Sequence, residues 1–266
     1  MLGLAEAGAT IYLTGRSTRE RGPTVALSGT IEETAEAARA LGGEAHAVAC
    51  DHRDDPQVQA FFEHVAREQG RLDLLVNNVW GGYELLHAGE YETFARPFWQ
   101  APAALWDSMF LAGVRAHYVA STFAMPLMLS GGSGLIVNIS SFAAANPKES
   151  VALGVAKSAT DRMSLLMAEQ VREHGIAVIT LYPGLVRTEG ILKWKEYIDL
   201  SNSESPQFVG RAIAALAADP RVLERSGEIA VAAELALEYG FTDLDGTRPQ
   251  TLRPQYETLT KRGADP

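Results

Sequence analysis

The stretch "ESVALGVAKSATDRM", residues 149–163, sets one amine, Lys157, in a run of small residues that opens a helix. Four positions earlier, one turn away on the same helix face, stands Leu153. Two hydroxyls, Ser140 and Ser141, close the apolar run "GLIVNI" upstream of it. An amine and a hydroxyl can hold a polar ligand and steady its oxygen. Leucine can neither donate nor accept a proton, so position 153 offers no general acid. Further along, "LYPGLVRTE" puts Pro183 and Gly184 straight after a buried run, where such a pair shapes a loop. Near the start, "YLTGRS" offers Arg16, either a guanidinium for a phosphate or a solvated loop residue.

Six short apolar runs carry these residues: "ATIYLTG", "AHAVACD", "LDLLVNN", "GLIVNIS", "IAVITLYPG" and "GEIAVAA". They are nearly continuously apolar, as strands buried on both faces must be. Helical spacing fills the intervals. "TIEETAEAARALGG" opens on acidic residues and ends on glycines, and "DPQVQAFFEHVAREQG" aligns Val58, Phe61, Phe62 and Val65 on one face. Strand and helix alternate throughout, which argues an α/β chain with a parallel, doubly wound sheet. No repeat or linker interrupts it, so residues 1–266 read as one domain. The chain opens in "MLGLAEAG", a helix end closed by Gly8, whereas doubly wound dinucleotide folds begin with a strand and a glycine-rich turn.

Composition narrows the classes. A formal net charge of −10 with scattered basic residues argues against a nucleic-acid surface, which needs a concentrated basic patch. The single cysteine, Cys50, leaves no internal disulfide and no cysteine-based metal site. No apolar run reaches the ~18 residues of a membrane span, and "MLGLAEAGATIY" lacks the basic start of a secretory signal. The expectation is a soluble, cytoplasmic protein without a metal.

In order and spacing, "YLTGRS", "ACD", "LDLLVNNVWGG", "GLIVNISS", "GVAK", "LYPGLVRTE" and "SGEIAVAAELALEYGFTDLDG" together resemble the short-chain dehydrogenase/reductase family over essentially the whole chain. The resemblance implies a Rossmann-like sheet of order 3-2-1-4-5-6-7. It implies hydride transfer between a nicotinamide and a small carbonyl or alcohol, in a homodimer or homotetramer. The long helices near residues 104–130 and 151–174 would lie together on one face. An acidic residue in place of Arg16 would repel a 2′-phosphate, so Arg16, with Thr14 and Ser17 beside it, implies NADP(H) over NAD(H). Asp51 would accept from the adenine amine, with His52 beside it; capping the next turn is the plainer role for a strand-end aspartate. Asn77 and Asn78 would bind backbone and line the ribose, with Val79 next. Trp80 stands where the family has a glycine, and a roof over the substrate is its alternative use. Pro183, Gly184 and Val186 shape the nicotinamide loop, and Thr188 would bond the carboxamide.

The same resemblance locates a departure. Ser141 fits the family's serine, with Ser140 as its substitute if the register slips, and Lys157 fits the lysine. Leu153 occupies the tyrosine position, and Gly113 that of the asparagine that keeps a relay water. Residues 144–152 contain no tyrosine, and Tyr182 lies at the strand end before the loop. Losing a positioned acid costs about 10²–10⁴ in rate. The family's glycine-rich turn and first strand are not encoded either, which implies a truncated start and a sheet missing its central strand. Two readings follow: an oxidoreductase by descent with doubtful activity, or a catalytically silent subunit that binds a nucleotide or a partner. A decayed or mis-started product is the third.

Overall fold

The computed structural model describes residues 1–24, 28–82 and 92–262. The chain begins with α1 (Leu2–Glu6), β1 (Thr10–Gly15), α2 (Ile31–Ala40), β2 (Glu44–Ala49), α3 (Asp55–Gln69) and β3 (Leu74–Asn77). Next come α4 (Glu92–Ala95), α5 (Ala103–Ser108), a π-helix (Met109–Arg115), α6 (Ala116–Gly131) and β4 (Gly134–Ile139). After these run α7 (Val151–Val171), β5 (Ile176–Tyr182), β6 (Leu185–Val186), α8 (Glu189–Leu192), β7 (Ser203–Glu204) and α9 (Pro206–Ala218). β8 (Ile229–Val231), α10 (Ala232–Tyr239) and α11 (Arg253–Arg262) close it. Each of the six apolar runs contains a strand, and the ladders β1–β2, β3–β4 and β4–β5 are parallel. The α/β class is as the alternation implied.

Local chemistry explains the helix limits. Thr30 and Glu33 close a capping box on α2, satisfying two orphan amides reciprocally. Asp54 caps α3, and Gly70 ends it in the left-handed region at φ 69°, where a side chain would be strained.

The chain divides into two compact units. The first holds Met1–Asp51, Pro183–Pro220 and Ala230–Thr251; the second holds His52–Tyr182, Arg221–Ile229 and Leu252–Pro266. In the first, β1 and β2 form a two-stranded sheet with α2 against it, and β6 pairs with β7. Also in this unit α1 crosses α9 closely: a Cβ on Gly3 would meet Arg211 N at 2.6 Å, so only glycine fits there.

The second unit contains β3, β4 and β5 in that order, in a four-stranded sheet whose last strand, β8, opens at Ile229. All seven residues of β5 are buried. The π-helix packs on α7, so the two long helical stretches do lie together. Among the described residues β1 pairs only with β2, and β3 only with β4. The described strands form three sheets, β1–β2, β3–β4–β5–β8 and β6–β7.

Asn77 and Asn138 are direct partners in the β3–β4 register, and both are buried. Asn77 Nδ2 donates to Asn138 Oδ1 at 2.8 Å and to Ser121 Oγ on α6 at 3.0 Å. Asn138 Nδ2 donates to Ser164 Oγ on α7 at 2.9 Å. One amide pair thus fixes both helices to the sheet. Asn138→Ala removes an acceptor from Asn77 and a donor from Ser164. The unpaired amide left behind costs about 1–3 kcal/mol, to be read from urea unfolding. A loss under about 0.5 kcal/mol would show that the network holds nothing.

Candidate active site

Lys157 sits in the second turn of α7, whose start is fixed by Ser150 Oγ accepting from Leu153 N–H at 3.3 Å. Its ammonium donates to Ile139 O at the end of β4, 3.1 Å away. Burial lowers its pKa to about 8, against the pull of Asp161 one turn on. Ser140 is buried and donates to the carbonyl of Lys157 at 3.3 Å. Ser141 is half-buried, and its hydroxyl oxygen accepts only the long 3.4 Å bond from Ala143 N–H. Between the two serines, Ser141 is thus the one placed to meet a ligand. Ser158 Oγ donates to Ala144 O at 3.0 Å and ties that turn to α7.

Leu153, Lys157 and Gly113 line one small cavity of ≈ 10 Å³ with Met109, His117 and Thr160. The shared helix face expected of 153 and 157 is present. Trp80 lines the same cavity. Leu153 packs with Leu105, Met109, Ala152 and Ala156, an apolar cluster that surrounds the place where an acid would act. Gly113 lies within the π-helix, a widened turn of the kind often found at functional sites.

Three residues here carried little sequence signal. His117 is fully buried, and its Nε2 bonds Val79 O at 3.0 Å. A carbonyl only accepts, so the proton is on Nε2; burial lowers the ring's pKa to about 3, so it is neutral. Asp161 Oδ2 accepts from Tyr182 OH at 2.5 Å, and burial raises the pKa of both groups. Spacing was the available clue, since His117 is four residues beyond Gly113 and Asp161 four beyond Lys157. Asn77, expected near the ribose, instead spends its amide inside the buried network. Asn78 beside it is exposed, and His52 and Val79 are half-buried.

The remaining candidates lie in the first unit. Thr14 and Arg16 are half-buried at the end of β1, and Ser17 Oγ accepts from Thr24 N–H at 3.0 Å. Asp51 follows β2, half-buried. Thr188 Oγ1 caps α8 by accepting from Ile191 N–H at 3.4 Å, and Val186 pairs with Glu204 across β6–β7. A Cβ on Gly184 would meet Glu204 Oε2 at 2.9 Å, so the loop after Pro183 passes close to that carboxylate. Glu204 is the third residue sequence reasoning missed. Both its carboxylate oxygens are buried with no side-chain partner among the described residues, and burial raises its pKa to about 7. Nearby, Arg187 pairs with the buried Asp243 at 2.8 Å.

Among the described residues no group of His, Cys, Asp or Glu could hold a metal, and no helix is long and apolar enough to cross a membrane. The donor chemistry fits the nucleoside end of a dinucleotide: an ammonium with three donors, one of them used on Ile139, beside a hydroxyl.

A parallel α/β fold with a half-buried lysine and a serine at adjoining strand and helix ends points to a class of oxidoreductases. The family model for short chain dehydrogenase matches residues 3–197, and the chain belongs to that family. It is 38% identical over 259 residues to mouse dehydrogenase/reductase SDR family member 1, covering 92% of this chain and 78% of that one. The human protein of the same name is 36% identical over the same shares. A solved short chain dehydrogenase from Mycobacterium thermoresistibile superposes with a TM-score of 0.74 at 25% identity, over 91% of this chain and 82% of that one.

Glu204 gives a prediction with a definite sign. Its folded pKa of about 7 lies above the ordinary 4.5, so the fold prefers the protonated acid. The stability it contributes is complete below about 4.5 and is lost as pH rises through about 7. Glu204→Gln should therefore leave stability near pH 4.5 almost unchanged and raise it at pH 8, by roughly a few kcal/mol. Parallel stability curves for the two proteins across that range would contradict the assignment.

Proposed function

We propose that the chain is a nicotinamide-nucleotide oxidoreductase of small carbonyls or alcohols whose turnover is restrained by Leu153. The observation that carries this is the single cavity shared by Lys157, Leu153 and Gly113. NADP(H), when bound, supplies or takes the hydride. Lys157 donates to the ribose hydroxyls, Asn78 and Val79 line the same sugar, and Ser141 steadies the substrate oxygen. Arg16, with Thr14 and Ser17, pairs with the 2′-phosphate; Asp51 and His52 meet the adenine. Pro183, Gly184, Val186 and Thr188 hold the carboxamide. Reading both units as one catalytic domain is supported by the family match, which runs through residues of each.

A homo-oligomer is supported by an apolar groove lined by Phe110, Leu111, Val114, Tyr118 and Met163, with Leu111 and Tyr118 exposed. We place the protein in the cytoplasm on composition. The second reading, a silent nucleotide- or partner-binding subunit, is favoured by one fact: Leu153, half-buried, packs against an apolar cluster.

The cofactor test is a fluorescence titration with NADPH and NADH. NADPH should bind tighter, and Arg16→Ala should erase most of the difference, about 1.5–3 kcal/mol for a charge-assisted phosphate contact. Equal affinity in the unaltered chain would make Arg16 a loop residue only. The activity test is NADPH oxidation against quinones, diketones and aldehydes. The chain should turn over negligibly, and Leu153→Tyr should raise the rate about 10²-fold or more. Brisk turnover with Leu153 in place would show that another group supplies the proton.

A further inference from the structure

We propose that His117 anchors a buried water that hydrogen-bonds on to the Lys157 ammonium, so that the imidazole takes the water-holding part left open by Gly113. The water site stands on the cavity alone; its service to nucleotide binding rests on the function proposed above.

The ring is held on three counts. The carbonyl of His117 accepts from Ser121 Oγ at 2.8 Å and from Asn77 Nδ2 at 3.4 Å, which fixes the backbone. Nε2–H donates to Val79 O at 3.0 Å, which fixes the ring and the tautomer. Nδ1 is then a bare lone pair, buried, with no partner among the described residues. An acceptor in that state is costly to bury unless something donates to it.

The cavity walls supply the rest. At ≈ 10 Å³ it matches the room one water needs, and such a water requires two to four polar partners. His117, Lys157 and Thr160 all line it. Nδ1 accepts from the water. The ammonium, with one donor on Ile139 O, donates to the water from another. Thr160 gives its own proton to Ala156 O at 3.0 Å, which leaves oxygen lone pairs for the water's second hydrogen. A water that accepts from Lys157 favours the charged amine, opposing the burial that depresses it. His117 is therefore a positioning residue. The titratable groups that bear on the pair are Asp161 on α7, Tyr182 bonded to it, and His52 toward the histidine.

Position 113 supplies the control. A Cβ on Gly113 would meet nothing within 4 Å, so a side chain can start there without displacing its neighbours.

Three measurements on the full chain test this. A high-resolution crystal structure should show a water in hydrogen-bond reach of both His117 Nδ1 and Lys157 Nζ. Nitrogen-15 spectra of the unaltered protein should show an Nε2–H tautomer whose Nδ1 accepts a hydrogen bond. Side-chain titration of Lys157 should fall by roughly half a unit or more in His117→Phe, and Gly113→Asn added to that variant should restore it. An ordered cavity without the water, a bare Nδ1, or a Lys157 midpoint unmoved by His117→Phe would each overturn the proposal. If His117→Phe does not fold, the first two measurements decide. All three are made without nucleotide, so a chain that binds no NADPH yet shows the water would refute the function and leave this site standing.

Discussion

Two asparagine side chains that face each other across parallel strands set the place of everything else in the second unit. Asn77 and Asn138 are register partners, so their side chains emerge on the same face. There each amide meets the other and reaches one helix: Asn77 to Ser121 on α6, Asn138 to Ser164 on α7. Buried amides are costly when unpaired, which makes this arrangement specific as well as stabilising. Ser164 lies seven residues beyond Lys157 and Ser121 four beyond His117, so the two serines fix the rotation of both helices. With the helices so bonded, Lys157 and His117 line one cavity.

The lysine shows what that placement does chemically. Its amine is drawn from water and bonded to Ile139 O, and its pKa falls to about 8. A charge near its titration point can hold sugar hydroxyls and respond to what is bound beside it. The neighbouring position holds Leu153, packed against apolar side chains, which can neither give nor take a proton. Restoring a phenol there would place it one helical turn from an amine already tuned by burial.

Much of the fold could be read from the sequence because burial leaves a strong imprint. Strands such as β5, buried at all seven positions, are apolar runs that nothing else explains. The acidic first turn of α2 was equally plain. The strand order could not be read from any one run, since pairing depends on which strands meet, and it rested on the resemblance. Juxtaposition was legible where it follows from a fixed spacing, as with Leu153 and Lys157, four apart on one helix face and lining one cavity. The site was illegible where function follows from burial. Glu204 looks like a surface carboxylate in sequence, and only the fold withdraws both its oxygens from water. His117 likewise reads as one more polar residue in a helix, until Val79 O takes one nitrogen and burial leaves the other without a partner among the described residues.

The most direct measurement is calorimetric titration of the full chain with NADPH from about pH 7 to about pH 9.5. An ammonium that holds the ribose binds best while charged. Affinity should therefore fall about tenfold or more as pH rises through about 8, the scale of a charge-assisted hydrogen bond, and Lys157→Met should abolish the dependence. Affinity that is flat across that range, or unchanged in the Lys157 variant, would contradict the assignment of Lys157 as the group that holds the nucleotide.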